Sequence, residues 1–121
     1  MQRRTLILSS IAFAAAPPAV AQSSRLTAAE IEELLSGQRI KGDWNGTQYD
    51  QVFWENGGTL YTPQGAPSDH GKWRVNAAEN TYESWWENSG WSSYAIEQED
   101  GALYWVDSRD KRYPFEVLPG E

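Results

Sequence analysis

The sequence predicts a mainly β fold: a small antiparallel meander or β-barrel of seven to eight short strands, with one short N-terminal α-helix. Three observations predict it. Sharp turn signals stand at Asn45-Gly46, Asn56-Gly57-Gly58, Asn88-Ser89-Gly90 and Asp100-Gly101, with softer ones at 63–68, 77–80 and 108–111. Their spacing is that of consecutive short hairpins. Between the turns, aromatic and β-branched residues alternate with polar ones, the period of a strand with one buried face. Before the first turn, the segment Leu26-Thr27-Ala28-Ala29-Glu30-Ile31 has the form of a helix start.

The chain opens with Met1-Gln2-Arg3-Arg4, a short basic stretch, followed by an apolar run from Leu6 to Ala16 and the small–x–small pattern Ala19-Val20-Ala21. That is the pattern of a cleavable export signal, predicting a signal peptide over 1–21 and a single β-rich domain over 22–121 that is periplasmic or secreted. The general secretory route is the simpler reading. Arg3-Arg4-Thr5-Leu6-Ile7 also resembles a twin-arginine signal. The apolar run is about half the roughly 20 residues of a spanning helix, so no membrane span is expected.

In the helix, the Thr27 hydroxyl can accept from the Glu30 N–H while Glu30 reaches back, and Leu26 and Ile31 are placed as a hydrophobic staple. Ile31, Leu34 and Leu35 form one apolar stripe, and Gly37 can end the helix in a left-handed conformation. So short a helix must dock on something. After Gly37 the period changes to two. Strands are expected near 39–44, 47–55, 58–62, 71–76, 81–87, 91–98, 102–107 and 112–118. Gly42-Asp43-Trp44 and Gly71-Lys72-Trp73 share a G-x-W pattern.

Composition removes several function classes. Beyond residue 21 there are eight Lys/Arg against seventeen Asp/Glu, a formal charge of −9. Phosphate contact needs clustered cations, so no nucleic-acid partner is expected, and a charged partner would be cationic. The absence of Cys excludes a disulfide framework, a thiol nucleophile and thiolate metal ligands, and the single His70 excludes a multi-His centre. No metal site and no cofactor are expected. All seven Trp and all six Tyr lie beyond the export signal.

Turn lengths allow the registers to be guessed. Across 77–80, Arg74 would face Glu83, Lys72 would face Trp85 and Val75 would face Tyr82. Across 88–90, Ser84 would face Tyr94 and Trp86 would face Ser92. Across Asp100-Gly101, Ile96 would face Trp105. One face then carries Trp73, Val75, Tyr82, Ser84, Trp86, Tyr94, Ile96, Trp105 and Asp107. The other begins polar, with Lys72, Arg74, Glu83 and Glu87 around Trp85, and turns apolar through Ala95, Tyr104, Val106, Tyr113 and Phe115. Barrel closure could bury the first face, and the helix could cap the second or plug an end.

On the first face, Trp73, Trp86, Tyr94, Trp105 and Asp107 make an aromatic wall with polar handles, the composition of a small-molecule pocket. The same residues would also serve as a core whose indole and phenol groups bond one another and Asp107. Eight short strands are nearly filled by their own side chains, which favours the core. On the second face, Trp85, Tyr104 and Tyr113 are candidates for a protein interface. Glu83 and Glu87 beside Trp85 have the residue types of a glycoside hydrolase, yet opposite Lys72 and Arg74 they also read as an ion-pair ladder. Asp69-His70 lacks the context of a catalytic pair. The acidic turns lack a calcium-loop pattern.

An export signal, a short helix, and G-x-W followed by strands broken at N-G and D-G turns resemble small secreted proteobacterial proteins of an uncharacterised, unknown-function β-rich family. The likeness runs over most of 27–116 and centres on Gly71-Lys72-Trp73-Arg74-Val75. That family carries a Cys pair on the two following strands, whereas 81–87 and 91–98 here have none. Gly42-Asp43-Trp44 after a helix is similar to the lipocalin opening element, which implies an antiparallel barrel for small apolar ligands. The leading expectation is an exported, non-enzymatic barrel binding a small apolar or aromatic ligand, a cationic ligand, or a protein partner. The alternatives are a cell-envelope glycan hydrolase using Glu83, Glu87 or Asp107, and an interaction or inhibitor module.

Overall fold

In a computed structural model, which describes residues 24–120, eight antiparallel strands close on themselves as an up-and-down barrel. They are β2 (Arg39–Trp44), β3 (Thr47–Phe53), β4 (Gly58–Pro63), β5 (Asp69–Asn76), β6 (Thr81–Trp86), β7 (Gly90–Glu99), β8 (Ala102–Val106) and β9 (Arg112–Val117). Each pairs with the next, and β9 returns to β2 with Ile40 opposite Val117 and Gly42 opposite Phe115. A two-residue strand, β1 (Ser24–Arg25), pairs with Gln98 and Glu97 of β7. The fold is thus mainly β, with one short helix, α1 (Ala28–Leu35), among the described residues. That helix is not long and apolar enough to cross a membrane.

The turn residues account for the meander. Asn45 and Gly46, and likewise Asp100 and Gly101, both take positive φ (54° and 91°, 53° and 83°), the conformation of a tight hairpin matched to strand twist. The register across 77–80 is the expected one: Lys72 faces Trp85, Arg74 faces Glu83 and Val75 faces Tyr82. Ile96 faces Trp105, also as expected. Across 88–90 the pairing differs. Ser84 faces Ser92, Tyr82 faces Tyr94 and Trp86 faces Gly90. The slip is of two residues, because Gly90 takes a positive φ of 73° and already belongs to β7. A slip of two preserves which side chains point inward.

One face assignment is corrected. Tyr113 and Phe115 pair with Trp105 and Leu103 and point into the barrel, not outward. The loop between β8 and β9 contains Asp110 at φ 65°, a left-handed residue whose effect on strand phase no Gly announces.

The helix plugs one end of the barrel. Thr27 and Glu30 form the expected capping box: Thr27 Oγ1 accepts from the Glu30 N–H at 3.2 Å, and Glu30 Oε1 accepts from the Thr27 N–H at 2.8 Å. The Ala28 N–H donates to Asn80 Oδ1 at 2.8 Å, tying the helix start to the β5–β6 turn. At the far end Gly37 takes φ 76° and donates its N–H to the Phe53 carbonyl at 2.8 Å. Ile31 and Leu35 are fully buried against a core that includes Ile40, Phe53, Trp73 and Ile96. Burying each of these two aliphatic side chains is worth about 1.5–3 kcal/mol, enough to hold a helix too short to stand alone.

Candidate functional site

Strand direction assigns the two ends different contents. At the helix end the interior is filled by Ile31, Leu35, Ile40, Phe53 and Ile96, and a hollow of about 470 Å³ lies beside the helix between Leu26, Glu30, Leu34 and Leu103. At the other, where the β2–β3, β4–β5 and β6–β7 turns lie, a cavity of about 340 Å³ enters the barrel. Its mouth is formed by Trp44, Tyr61, Asp69, Trp86, Asn88 and Tyr94, with Ser89 beside them. Deeper, the lining passes to Tyr49, Gln51, Tyr82, Ser84 and Trp105.

Two glycines make this arrangement possible, and they are the glycines of the G-x-W pattern. A Cβ on Gly42 would stand 2.8 Å from the hydroxyl of Tyr49, its cross-strand partner, and 2.8 Å from the Pro114 carbonyl. A Cβ on Gly71 would meet the Trp85 carbonyl oxygen and come within 2.6 Å of the Trp86 ring. Each Gly is therefore the bare floor over which an aromatic side chain of the next strand lies. Two residues on, Trp44 and Trp73 point to the same inner side, since strand side chains alternate.

The mouth rings touch mainly edge to face. Trp44 meets Tyr94 at 5.5 Å and 83°, and Tyr61 meets Trp86 at 6.1 Å and 66°. Behind Trp44, Tyr113 is stacked at 3.8 Å and 11°. Three side-chain N–H donors within the barrel find internal acceptors. Trp105 Nε1 donates to the Tyr49 hydroxyl at 3.0 Å, Trp86 Nε1 to Ser84 Oγ at 3.1 Å, and Gln51 Nε2 to Thr59 Oγ1 at 3.0 Å. Burial pushes the Tyr49 phenol up to about 12, although the indole N–H from Trp105 pulls it back. Tyr82 is raised further by burial, and Tyr61 and Tyr94 are raised by the same cause. All four phenols stay neutral donors at physiological pH. Among the described residues, the lining contains one charged side chain, Asp69, and no Lys, Arg or His.

Of the pocket candidates read from the sequence, Trp86, Tyr94 and Trp105 meet in this cavity. Trp73 does not line it; it packs edge-on to Phe53 at 5.6 Å toward the helix end, and its Nε1 donates to the Trp54 carbonyl at 2.9 Å. Asp107 does not line it either. Its carboxylate accepts the backbone N–H groups of Arg109 and Lys111, both at 2.9 Å, and the Tyr113 hydroxyl at 2.9 Å. The Lys111 amide, foremost, holds its pKa below the usual carboxylate range, so Asp107 is the organiser of the β8–β9 turn.

Sequence reasoning missed Trp44, Tyr61 and Gln51. The Asn45-Gly46 turn carried the signal: a two-residue hairpin sets Trp44 opposite Thr47 and hence Gly42 opposite Tyr49, which brings Trp44, Tyr49 and Gln51 to one face.

The other candidates lie apart from the cavity. Trp85 and Tyr104 are on the outer wall, under Lys72 (4.8 Å) and Arg112 (3.9 Å), while the third interface candidate, Tyr113, is inside the barrel. Glu83 is also on the outer wall. Arg74 Nε donates to it at 2.6 Å, Asn76 Nδ2 at 3.1 Å and Ser93 Oγ at 3.1 Å, and these bonds, Arg74 first, lower its pKa. Glu83, Glu87 and Asp107 do not converge on the cavity. No protein-family model, no curated protein and no solved structure matches this chain.

Proposed function

We propose that this chain is an exported small-molecule-binding protein whose site is the mouth of the barrel opposite the helix. The observation that carries the reading is the cavity of about 340 Å³, walled by Trp44, Tyr61, Trp86 and Tyr94 over a polar floor of Gln51, Ser84 and Tyr49. Its volume is at the small end of the range for ligand pockets, and an aromatic wall with a few fixed polar groups is their usual composition. At the helix end Ile31, Leu35, Ile40, Phe53 and Ile96 fill the barrel interior and the hollow beside the helix lies outside it, so the unfilled volume at the other end is not a general looseness of eight strands.

Binding requires no chemistry beyond placement. Ring faces supply stacking area, and neutral phenol and amide groups orient the guest. The export part of the proposal rests on the pattern of 1–21, which lies outside the described residues. Sequencing the protein recovered after export tests it: the chain should begin near Gln22, and an uncut Met1 would remove the claim.

The binding reading is tested by titrating the protein with phenol and indole while following the indole N–H resonances by NMR. Signals from Trp44, Trp86 and Trp105 should shift together and saturate, and those from the exposed Trp54 and Trp91 should not. Shifts spread evenly over all seven Trp, or none, would mean that the cavity is not a binding site.

A further inference from the structure

On the assumption that the cavity is the binding site proposed above, its electrostatics specify the ligand class, and we infer that it is an organic cation, an ammonium group carried on a small carbon frame. The inference starts from how the molecule treats its other aromatic faces. Four of the eight Lys and Arg among the described residues lie over rings: Lys72 over Trp85, Arg74 over Trp91 at 3.7 Å, Lys111 over Tyr113 at 5.2 Å, and Arg112 over Tyr104. On the outer wall the rings of Trp85, Trp91 and Tyr104 are thus covered by the chain's own cations, while the exposed Trp54 lies beside His70 at 6.4 Å.

The mouth of the cavity has the same kind of surface and no such cover. No described Lys or Arg lies over Trp44, Tyr61, Trp86 or Tyr94. In an edge-to-face contact the ring that uses its edge keeps its π faces, and both Trp44–Tyr94 and Tyr61–Trp86 are of this kind, although one face of Trp44 is already stacked on Tyr113. Lys111, an exposed residue over Tyr113, donates to Asn45 Oδ1 at 2.7 Å and does not line the cavity. The charged group that does line it is Asp69, at the mouth. Tyrosine rings facing a cavity, a carboxylate at its rim and a strongly acidic chain all act in the same direction on a guest. They favour a cation and disfavour an anion, which would find no basic partner there.

The test pairs choline with its neutral isostere 3,3-dimethylbutan-1-ol, each titrated into wild-type protein, Asp69→Asn and Tyr61→Leu, with the indole N–H resonances as readout. Choline should bind at least about 5-fold more tightly than the isostere, the preference expected when a cation exchanges water for ring faces. Asp69→Asn should weaken choline roughly 2- to 5-fold, and less at high salt, and should weaken choline more than the neutral compound. Tyr61→Leu, a half-buried position, should weaken choline more than the isostere. If the isostere binds as tightly as choline, the cation inference is overturned and the pocket stands. If choline leaves the cavity resonances unmoved while phenol or indole shifts them, the result is the same. Should no compound move them, both readings fall.

Discussion

Trp105 is 4% exposed, stacks on Phe115 at 4.5 Å, lies against Tyr82 at 4.6 Å, and ends its indole N–H on the Tyr49 hydroxyl. Two separable contributions meet there. Trp105→Ala should cost about 3–5 kcal/mol, because a large cavity opens in a packed interior. Tyr49→Phe keeps the ring and removes only the acceptor, so the buried N–H loses its partner at a cost of about 1–3 kcal/mol. Chemical denaturation of the two variants should rank them in that order; equal losses would mean that packing is not the larger share. Glu83 gives the pH counterpart. Arg74, with Asn76 and Ser93, holds its carboxyl below the ordinary glutamate range. The folded chain therefore prefers the carboxylate more than the unfolded chain does. That stability is fully present above the unfolded pKa and disappears as pH falls through the folded one. Glu83→Gln should lower the urea midpoint at neutral pH and shrink its fall toward acid pH, and an unchanged acid limb would remove Glu83 from the account. The ion pair of Arg74 with Glu83 was legible in the sequence because a short turn joins their strands. The role of Asp107 was not, since its partners are backbone amides of its own loop, which residue type alone does not reveal.

At the scale of elements, all eight barrel strands were legible, because Asn-Gly and Asp-Gly turns punctuate a two-residue period. The helix was legible too, with its capping box and its left-handed Gly37. What could not be read was phase across the β8–β9 loop and exact register across 88–90, whereas the 77–80 turn was read correctly. Tyr113 and Phe115 were assigned outward because the β8–β9 loop hides a left-handed residue at Asp110, and β1 is too short to carry any periodicity. The two G-x-W elements were visible as a pattern, and the barrel supplies their reason: the glycine makes room and the tryptophan fills space one layer on. Gly71→Ala tests that reason at the stricter of the two sites. Its new methyl would meet backbone at the Trp85 carbonyl as well as the Trp86 ring, so β6 must move away from β5. The expected result is a loss at the upper end of overpacking effects, about 3 kcal/mol or more, with displaced Trp86 signals. A variant as stable as the parent would show that the close approach is not needed.

Across the whole molecule, the barrel separates stability from binding along its axis. One end holds the fully buried Ile31, Leu35, Ile40, Phe53 and Ile96 under the helix. The other holds half-buried rings around an open volume. Because β9 closes against β2 and every strand runs from one end to the other, damage at the packed end should be felt as cooperative unfolding and not as local change. Ile31→Ala should therefore cost about 2–5 kcal/mol while leaving the indole N–H signals of Trp44 and Trp86, and the affinity for phenol or indole, close to those of the parent. Tyr61→Leu should do the reverse. Its half-buried ring touches Tyr49 and Trp86 at the mouth, so its loss should lower affinity and shift the Trp86 signal with only a small fall in melting temperature. Thermal denaturation and ligand titration of the two variants together decide the matter. If Ile31→Ala abolishes binding in the folded protein, or Tyr61→Leu destabilises as much as Ile31→Ala, the two ends act as one unit and the cavity is part of the core.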